Sequence, residues 1–105
     1  MENKTVVLSI RNNVGIIFLN RPEAGNAIDL DMAKELMAAA IFCSENEEIR
    51  AVVITGEGKK FSVGGDLKTF TKEGKEIGSL LKNVTAYLHQ AISYLTRMNK
   101  PLMVQ

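Results

Sequence analysis

The sequence predicts an α/β fold in which strands alternate with helices. Two β-branched, aliphatic runs are separated by Asn12-Asn13, apolar side chains recur at helical spacing after Asp29, and a continuous apolar run occupies 51–55. Strand, helix and buried strand in this order form a βαβ unit. The chain has 105 residues, of which 46% are hydrophobic and 24% charged, so one globular domain is the upper limit.

The first two runs, 5–11 and 14–20, predict a β-hairpin, because asparagine tolerates the left-handed backbone of a tight turn. In the second run both alternating sets of side chains are apolar, for example Phe18 and Leu19. We therefore expect both faces of this strand to be covered, with helices packed on the sheet.

Asp29 is a candidate N-cap for a helix over 30–44, and a strand over 51–55 follows it. Apolar residues at steps of three and four predict a second helix over 79–98. Pro101 then ends this helix, and a further apolar strand begins near 101. Since a domain does not normally end where a buried strand begins, we expect 1–105 to be the N-terminal part of a single domain.

Charge and composition exclude several classes of function. The net charge is +1, and no Lys/Arg run has the length of a nucleic-acid or polybasic membrane patch, so neither partner is expected. No apolar run approaches the ~20 residues of a membrane span. Cys43 is the single cysteine, which excludes an internal disulfide and a cysteine metal site. Without a secretory signal, a cytoplasmic location is predicted, or an organelle matrix if a targeting segment was removed.

The segment KKFSVGGDLK, residues 59–68, carries the strongest candidate site. Adjacent Gly64 and Gly65 expose backbone N–H donors, which proteins use to bind phosphate or to stabilise an oxyanion. Phosphate loops require a following Lys-Ser/Thr or three spaced glycines directly after the strand, and neither pattern is present. An oxyanion site and a simple tight turn remain as interpretations.

Three segments resemble the crotonase, or enoyl-CoA hydratase/isomerase, superfamily: LNRPEAGNAIDLDM (19–32), RAVVITGEGKKFSVGGDLK (50–68) and MNKPLMVQ (98–105). They follow that family's order and spacing. The resemblance implies a crotonase-like ββαβα spiral unit, truncated here. It implies an acyl-CoA substrate, no cofactor besides that coenzyme A, and a homo-trimer or hexamer at full length. Hydration of a 2-enoyl-CoA is the favoured reaction; isomerisation, decarboxylation, a carrier-protein-linked activity and a non-catalytic binding domain are the alternatives.

The resemblance also implies roles for individual residues. The backbone amide of Gly65 corresponds to one of two oxyanion-hole donors, and the catalytic carboxylates come after residue 105. The residues implied to line the coenzyme A channel are Ala24, Asn26 and Ala27 on one side and Gly64, Gly65, Asp66, Leu67 and Lys68 on the other. Many members have a Lys followed by an apolar residue where this chain has Ala24-Gly25, which puts a phosphate contact there in doubt.

Structural roles compete with functional ones at the polar residues of these loops. Asp66 is a candidate helix N-cap rather than a base, and Pro22 and Asn26 either shape their loop or contact ligand. Tyr87 and Phe70 are weak candidates for an acyl pocket.

Two further residues invite a catalytic interpretation. His89 lies beside the apolar stripe of a predicted helix without a titratable partner, so we expect a surface histidine. Cys43 lacks a histidine nearby in the sequence that could activate it, so we expect a small core or boundary residue.

Overall fold

The computed structural model describes residues 5–58 and 77–105. It confirms the predicted α/β fold, and each predicted element lies within two residues of its observed bounds. The elements are β1 (Val6–Arg11), β2 (Val14–Leu19), a 3₁₀ turn (Pro22–Ala24), α1 (Leu30–Glu45), β3 (Ala51–Gly56), α2 (Ile77–Arg97) and β4 (Leu102–Val104).

The four strands form one mixed sheet in the order β1-β2-β3-β4. β1 and β2 are antiparallel, whereas β2 with β3 and β3 with β4 are parallel. Parallel neighbours require the chain to return to the opposite end of the sheet, and α1 makes this return between β2 and β3. The predicted βαβ unit is therefore confirmed.

The β1–β2 turn confirms the role predicted for its two asparagines. Asn12 and Asn13 have φ angles of 50° and 68°, so both are left-handed, as a two-residue hairpin turn requires. Arg11 then pairs with Val14 and Leu8 with Ile17. This register places the buried side chains of both strands on the same face of the sheet.

One face of the sheet packs against α1, and its side chains form the main core together with residues of α1 and α2. Val6, Ile17, Leu19 and Val52 are at most 6% exposed on this face. On the other face, Phe18 and its neighbours along β2 are only half-buried. The expectation that both faces of β2 are covered is therefore wrong, because the apolar second face is only partly shielded from solvent.

Helix α1 begins at the predicted N-cap. Asp29 has an extended backbone, and its Oδ1 accepts a hydrogen bond from the Met32 N–H at 2.9 Å. The other carboxylate oxygen lies 3.6 Å from the Arg21 guanidinium. Asp29 thus satisfies one of the free N–H groups of the helix and also holds the preceding loop.

We expect Asp29→Ala to lower the free energy of unfolding by about 1 kcal/mol, because Ala leaves that N–H without its acceptor. Urea denaturation of the two proteins measures the change. Asp29→Asn is the control: asparagine caps equally well but removes the charge facing Arg21. An equal loss in both variants would assign the stability to the ion pair instead of the cap.

The opposite end of α1 is closed by a residue from the far end of the chain. The Lys100 ammonium donates to the carbonyl oxygens of Cys43 and Asn46 at 2.5 and 2.7 Å. These carbonyls belong to the last turn of the helix, where a cation is favoured. The contact ties the segment before β4 to α1.

Cys43 is fully buried, which confirms the expected core position. Burial raises the pKa of its thiol, and the nearby Lys100 ammonium opposes this shift. The thiol therefore stays protonated and is a poor nucleophile. His89 is exposed on α2, as expected.

Helix α2 packs against α1 through Val84, Ala91 and Leu95, which are at most 7% exposed. Leu81 and Ile92 lie beside this packed stripe on α2, and they are 42% and 49% exposed. Within residues 5–58 and 77–105, neither helix combines the length and apolarity of a membrane span.

Candidate functional site

The parallel strands β2 and β3 end side by side, at Leu19 and Gly56, which are partners in the register. One residue beyond β3, the Glu57 N–H donates to the Leu19 carbonyl at 2.8 Å. Ligands of open α/β sheets bind outside the carboxyl ends of the strands. The segments that leave these two ends, 20–29 and 57 onward, are therefore the candidate walls of a site.

The first wall is the compact loop 21–27. The backbone N–H groups of residues 24 to 27 each donate to a carbonyl inside the loop, at 2.8 to 3.2 Å. Gly25 and Asn26 are both left-handed, with φ angles of 61° and 56°. Glycine and asparagine are the residue types that adopt this backbone most easily, so the local sequence explains the tight fold.

Asn26 holds the centre of the loop, and its side chain is inaccessible to solvent. Its Oδ1 accepts a hydrogen bond from the Arg21 N–H at 2.7 Å, and its Nδ2 donates to the Glu57 carbonyl at 2.9 Å. The first bond closes the loop on itself, and the second joins it to the end of β3. The amide therefore satisfies two backbone groups at once.

Gly58 continues the same junction. Its φ of 86° is left-handed, and a Cβ at this position would lie 2.9 Å from the Pro22 Cβ. Both the backbone and the space therefore require glycine. Pro22 thus packs against the chain immediately after β3, which brings the two walls into direct contact.

The Arg21 side chain links the loop to the start of α1. Its Nη1 donates to the Ala27 carbonyl at 2.6 Å and lies 3.6 Å from Asp29 Oδ2 at the start of α1. This side chain is only 18% exposed. Its charge is used within the protein, which makes Arg21 a structural cation of the loop.

The structure brings together the predicted site residues of the first wall. Ala24 is half-buried and Ala27 is 7% exposed in the same loop as buried Asn26. The loop-shaping interpretation of Pro22 and Asn26 is confirmed, while contact of this loop with a ligand stays a prediction.

The second wall carries the other predicted site residues. These predicted site residues are Gly64, Gly65, Asp66, Leu67 and Lys68, and they lie outside the described part of the chain. The acyl-pocket candidate Phe70 also lies outside it. The proposed N-cap role of Asp66 also stays a prediction.

Tyr87 lies between α2 and the N-terminal end of α1, in a cluster that also contains Ile28 and Leu30. Its half-buried ring packs beside Ala33, and the Lys34 ammonium is 5.6 Å from the ring centroid. This is a helix–helix contact with a cation–π component. A role in an acyl pocket stays a prediction.

A groove of about 370 Å³ lies between the C-terminal turns of α1 and α2, lined by residues that include Ser44, Tyr94 and Arg97. It is at the opposite edge of the sheet, because α1 ends where β3 begins. Position at the carboxyl edge favours the 21–27 junction over this groove. In residues 5–58 and 77–105, no three His, Cys, Asp or Glu side chains come together as metal ligands.

Arg21, Glu57 and Gly58 are site residues that were not singled out from the sequence. Arg21 contributes through its backbone N–H and its side chain, whereas Glu57 contributes through its backbone N–H and carbonyl, and nothing in either residue type indicates this. Gly58 could have been recognised as the second glycine of Gly-Glu-Gly directly after a strand, a position typical of a left-handed turn.

Comparison with known families decides the family of the chain. The family model for enoyl-CoA hydratase/isomerase matches residues 9–103. The chain belongs to the enoyl-CoA hydratase/isomerase family. The resemblance in the three quoted segments is thereby confirmed.

Relatives of the enoyl-CoA hydratase/isomerase family match different lengths of the chain. A trans-2-decenoyl-[acyl-carrier-protein] isomerase from Streptococcus mutans is 30% identical, and the match covers 99% of this chain and 40% of the isomerase's length. A putative enoyl-CoA hydratase from Thermus thermophilus is 39% identical, and the match covers 66% of this chain and 27% of the hydratase's length. The matches thus span two-fifths or less of the length of these two relatives.

Solved structures, among them an enoyl-CoA hydratase, confirm the predicted fold. A Pseudomonas aeruginosa protein matches 99% of this chain and 44% of its own, with a TM-score of 0.88 and 24% identity. An enoyl-CoA hydratase from Mycobacterium smegmatis matches 95% of this chain and 38% of its own, with a TM-score of 0.84 and 28% identity. The fold described here therefore corresponds to part of a larger crotonase-like chain.

Proposed function

We propose that residues 1–105 form the N-terminal part of an acyl-CoA enzyme that adds water to a 2-enoyl-CoA. The observation that carries the proposal is the junction at the carboxyl edge of the sheet. There, loop 21–27 of this chain is held against Glu57 and Gly58. Relatives named as enoyl-CoA hydratases in several bacteria favour hydration over the other reactions. Three or six copies are the assembly implied by the family resemblance.

The chemistry requires stabilisation of a negative charge. When a nucleophile adds to an enoyl thioester, charge develops on the carbonyl oxygen, and preorganised N–H donors stabilise it more than the neutral ground state. We assign one donor to the Gly65 backbone amide. Glycine at 64 and 65 leaves the thioester free to approach the backbone.

The two walls are assigned to binding of coenzyme A. Ala24, Asn26 and Ala27 border the coenzyme A chain on one side, and Gly64 to Lys68 border it on the other. Addition of water also needs a carboxylate that moves a proton at the α- and β-carbons. We assign that group and the second amide donor to the polypeptide that follows residue 105.

A second candidate is isomerisation of an enoyl thioester held by a carrier protein. It is favoured by the Streptococcus mutans isomerase, which matches 99% of this chain, whereas the Thermus thermophilus hydratase matches 66%. Such a substrate shares the pantetheine arm with an acyl-CoA and lacks the adenine. The two candidates therefore differ at the adenine end of the site and in the product.

A third candidate is a non-catalytic domain. A small ribosomal subunit protein from Schizosaccharomyces pombe is 35% identical over 64% of this chain. A protein named for the ribosome thus carries the same sequence pattern. On this alternative the fold would bind a partner without turning over a thioester.

Liquid chromatography followed by mass spectrometry of the reaction products separates the three candidates, because retention distinguishes double-bond isomers of equal mass. The full polypeptide is incubated with a 2-enoyl-CoA, a 3-enoyl-CoA and the matching pantetheine thioesters. Hydration adds one water to the 2-enoyl-CoA, and isomerisation moves the double bond without a change of mass. Turnover restricted to pantetheine thioesters would support the carrier-linked enzyme. Binding without turnover of any substrate would contradict both catalytic proposals.

A further inference from the structure

We infer that Asn26 is a positioning residue that couples loop 21–27 to the end of β3 and so fixes how the loop lies against Glu57. Its side chain makes one hydrogen bond within the loop, to the Arg21 N–H, and one across 31 residues of sequence, to the Glu57 carbonyl. The effect on turnover rests on the proposed function. The coupling itself does not.

Burial gives this link its strength. Among the described residues with at most 9% exposure, Asn26 is the buried polar side chain, with no accessible surface. Water cannot reach the Asn26 side chain at such a position without a rearrangement, so a broken bond would leave the buried amide with a desolvation penalty. The junction therefore has one favoured geometry.

Only a short amide meets all the requirements of the position. The backbone φ of 56° is left-handed, a region in which asparagine is enriched. The side chain must also present an acceptor and a donor at once. Aspartate would keep the acceptor and lose the donor, whereas glycine would keep the backbone and lose both. These two substitutions therefore separate the three functions.

The link acts at the point where the second wall begins. Glu57 accepts the Asn26 bond through its carbonyl, and Gly58 packs against Pro22 one residue later. The Pro22 contact is apolar and fixes no direction, whereas the hydrogen bond does. The backbone orientation at Glu57 and Gly58 thus depends on Asn26.

Hydrogen exchange tests the coupling without an activity assay. In Asn26→Asp, the Arg21 amide should keep its protection, and the Glu57 amide, which donates to Leu19, should exchange faster. In Asn26→Gly, both amides should exchange faster. Unchanged exchange at Glu57 in both variants would overturn the inference.

Asn13 offers a matched control. It is also left-handed, with φ of 68°, and its Nδ2 also donates to a backbone carbonyl, that of Glu48 at 2.9 Å. It is exposed and lies at the opposite edge of the sheet. Asn13→Asp should leave exchange at Glu57 unchanged. Equal acceleration in both aspartate variants would show a general loss of stability and would overturn the inference.

Kinetics of the full polypeptide test the consequence for the reaction. We expect Asn26→Asp to lower kcat about tenfold with a smaller change in KM, because misplacement of a wall weakens transition-state contacts more than binding. Asn13→Asp should retain kcat. If the wild type turns over an enoyl thioester and Asn26→Asp retains kcat, the inference is overturned. If exchange changes as expected and the wild type is inactive, the coupling is supported and the proposed function fails.

Discussion

Replacement of Gly65 by proline in the full polypeptide is expected to lower turnover of an enoyl thioester by ~10²–10³-fold. Proline removes the backbone N–H that we assign to the developing oxyanion. Gly65 lies outside the described residues, so this expectation rests on the FSVGGDLK segment and on the chemistry of the thioester. Steady-state kinetics with a 2-enoyl-CoA measure the loss.

Two controls separate the lost donor from a disturbed loop. Gly65→Ala keeps the N–H and should retain more turnover than the proline variant. Coenzyme A affinity of Gly65→Pro, measured by calorimetry, should fall much less than turnover. If Gly65→Pro keeps wild-type turnover, the residue is only part of a turn and the proposed oxyanion site is incorrect.

Gly15→Ala is expected to lower the free energy of unfolding by about 1–3 kcal/mol, the usual effect of overpacking a core. A Cβ at Gly15 would lie 3.0 Å from the Cys43 Sγ and 3.2 Å from the Ile49 Cγ2. Both neighbours are fully buried and have little room to move. Urea denaturation of wild type and variant gives the difference.

A double-mutant cycle identifies the contact responsible. Cys43→Ala removes the nearer obstacle, so Gly15→Ala should be less destabilising in that background than in the wild type. Simple additivity of the Gly15 and Cys43 substitutions would show that α1 and β2 are not in tight contact there.

Local chemistry explains what the sequence predicted correctly. The turn at Asn12-Asn13 depends on two residues that adopt a left-handed backbone, and the start of α1 depends on Asp29 and the N–H three residues later. Both are settled by neighbours in sequence, so a pattern of residue types suffices. The helix and strand bounds follow from the same kind of signal.

Contacts between distant segments were not predictable in this way. The Asn26 to Glu57 bond spans 31 residues, and the Lys100 to Cys43 bond spans 57. Neither partner carries a signal for the other. The half-buried second face of β2 was missed for a related reason: apolar side chains indicate what could be buried, while the packing of other segments decides what is buried.

For the candidate site, the sequence predicted residues of one loop but not the contacts that hold this loop. The family resemblance placed Ala24, Asn26 and Ala27 on one wall, and the structure brings them into one loop. It did not show that the Asn26 side chain is used for an internal link. That distinction depends on burial and on the direction of an amide, which only coordinates provide.

The strand order β1-β2-β3-β4 is also the order in which the strands are synthesised. Each new strand can therefore pair with one that has already emerged, and no strand has to insert between two earlier ones. Chains that fold during translation do so from the N-terminus at the pace of elongation, about 5–20 residues per second. The four described strands can consequently assemble at one advancing edge, and the Lys100 contact with α1 would form as β4 joins the first three strands.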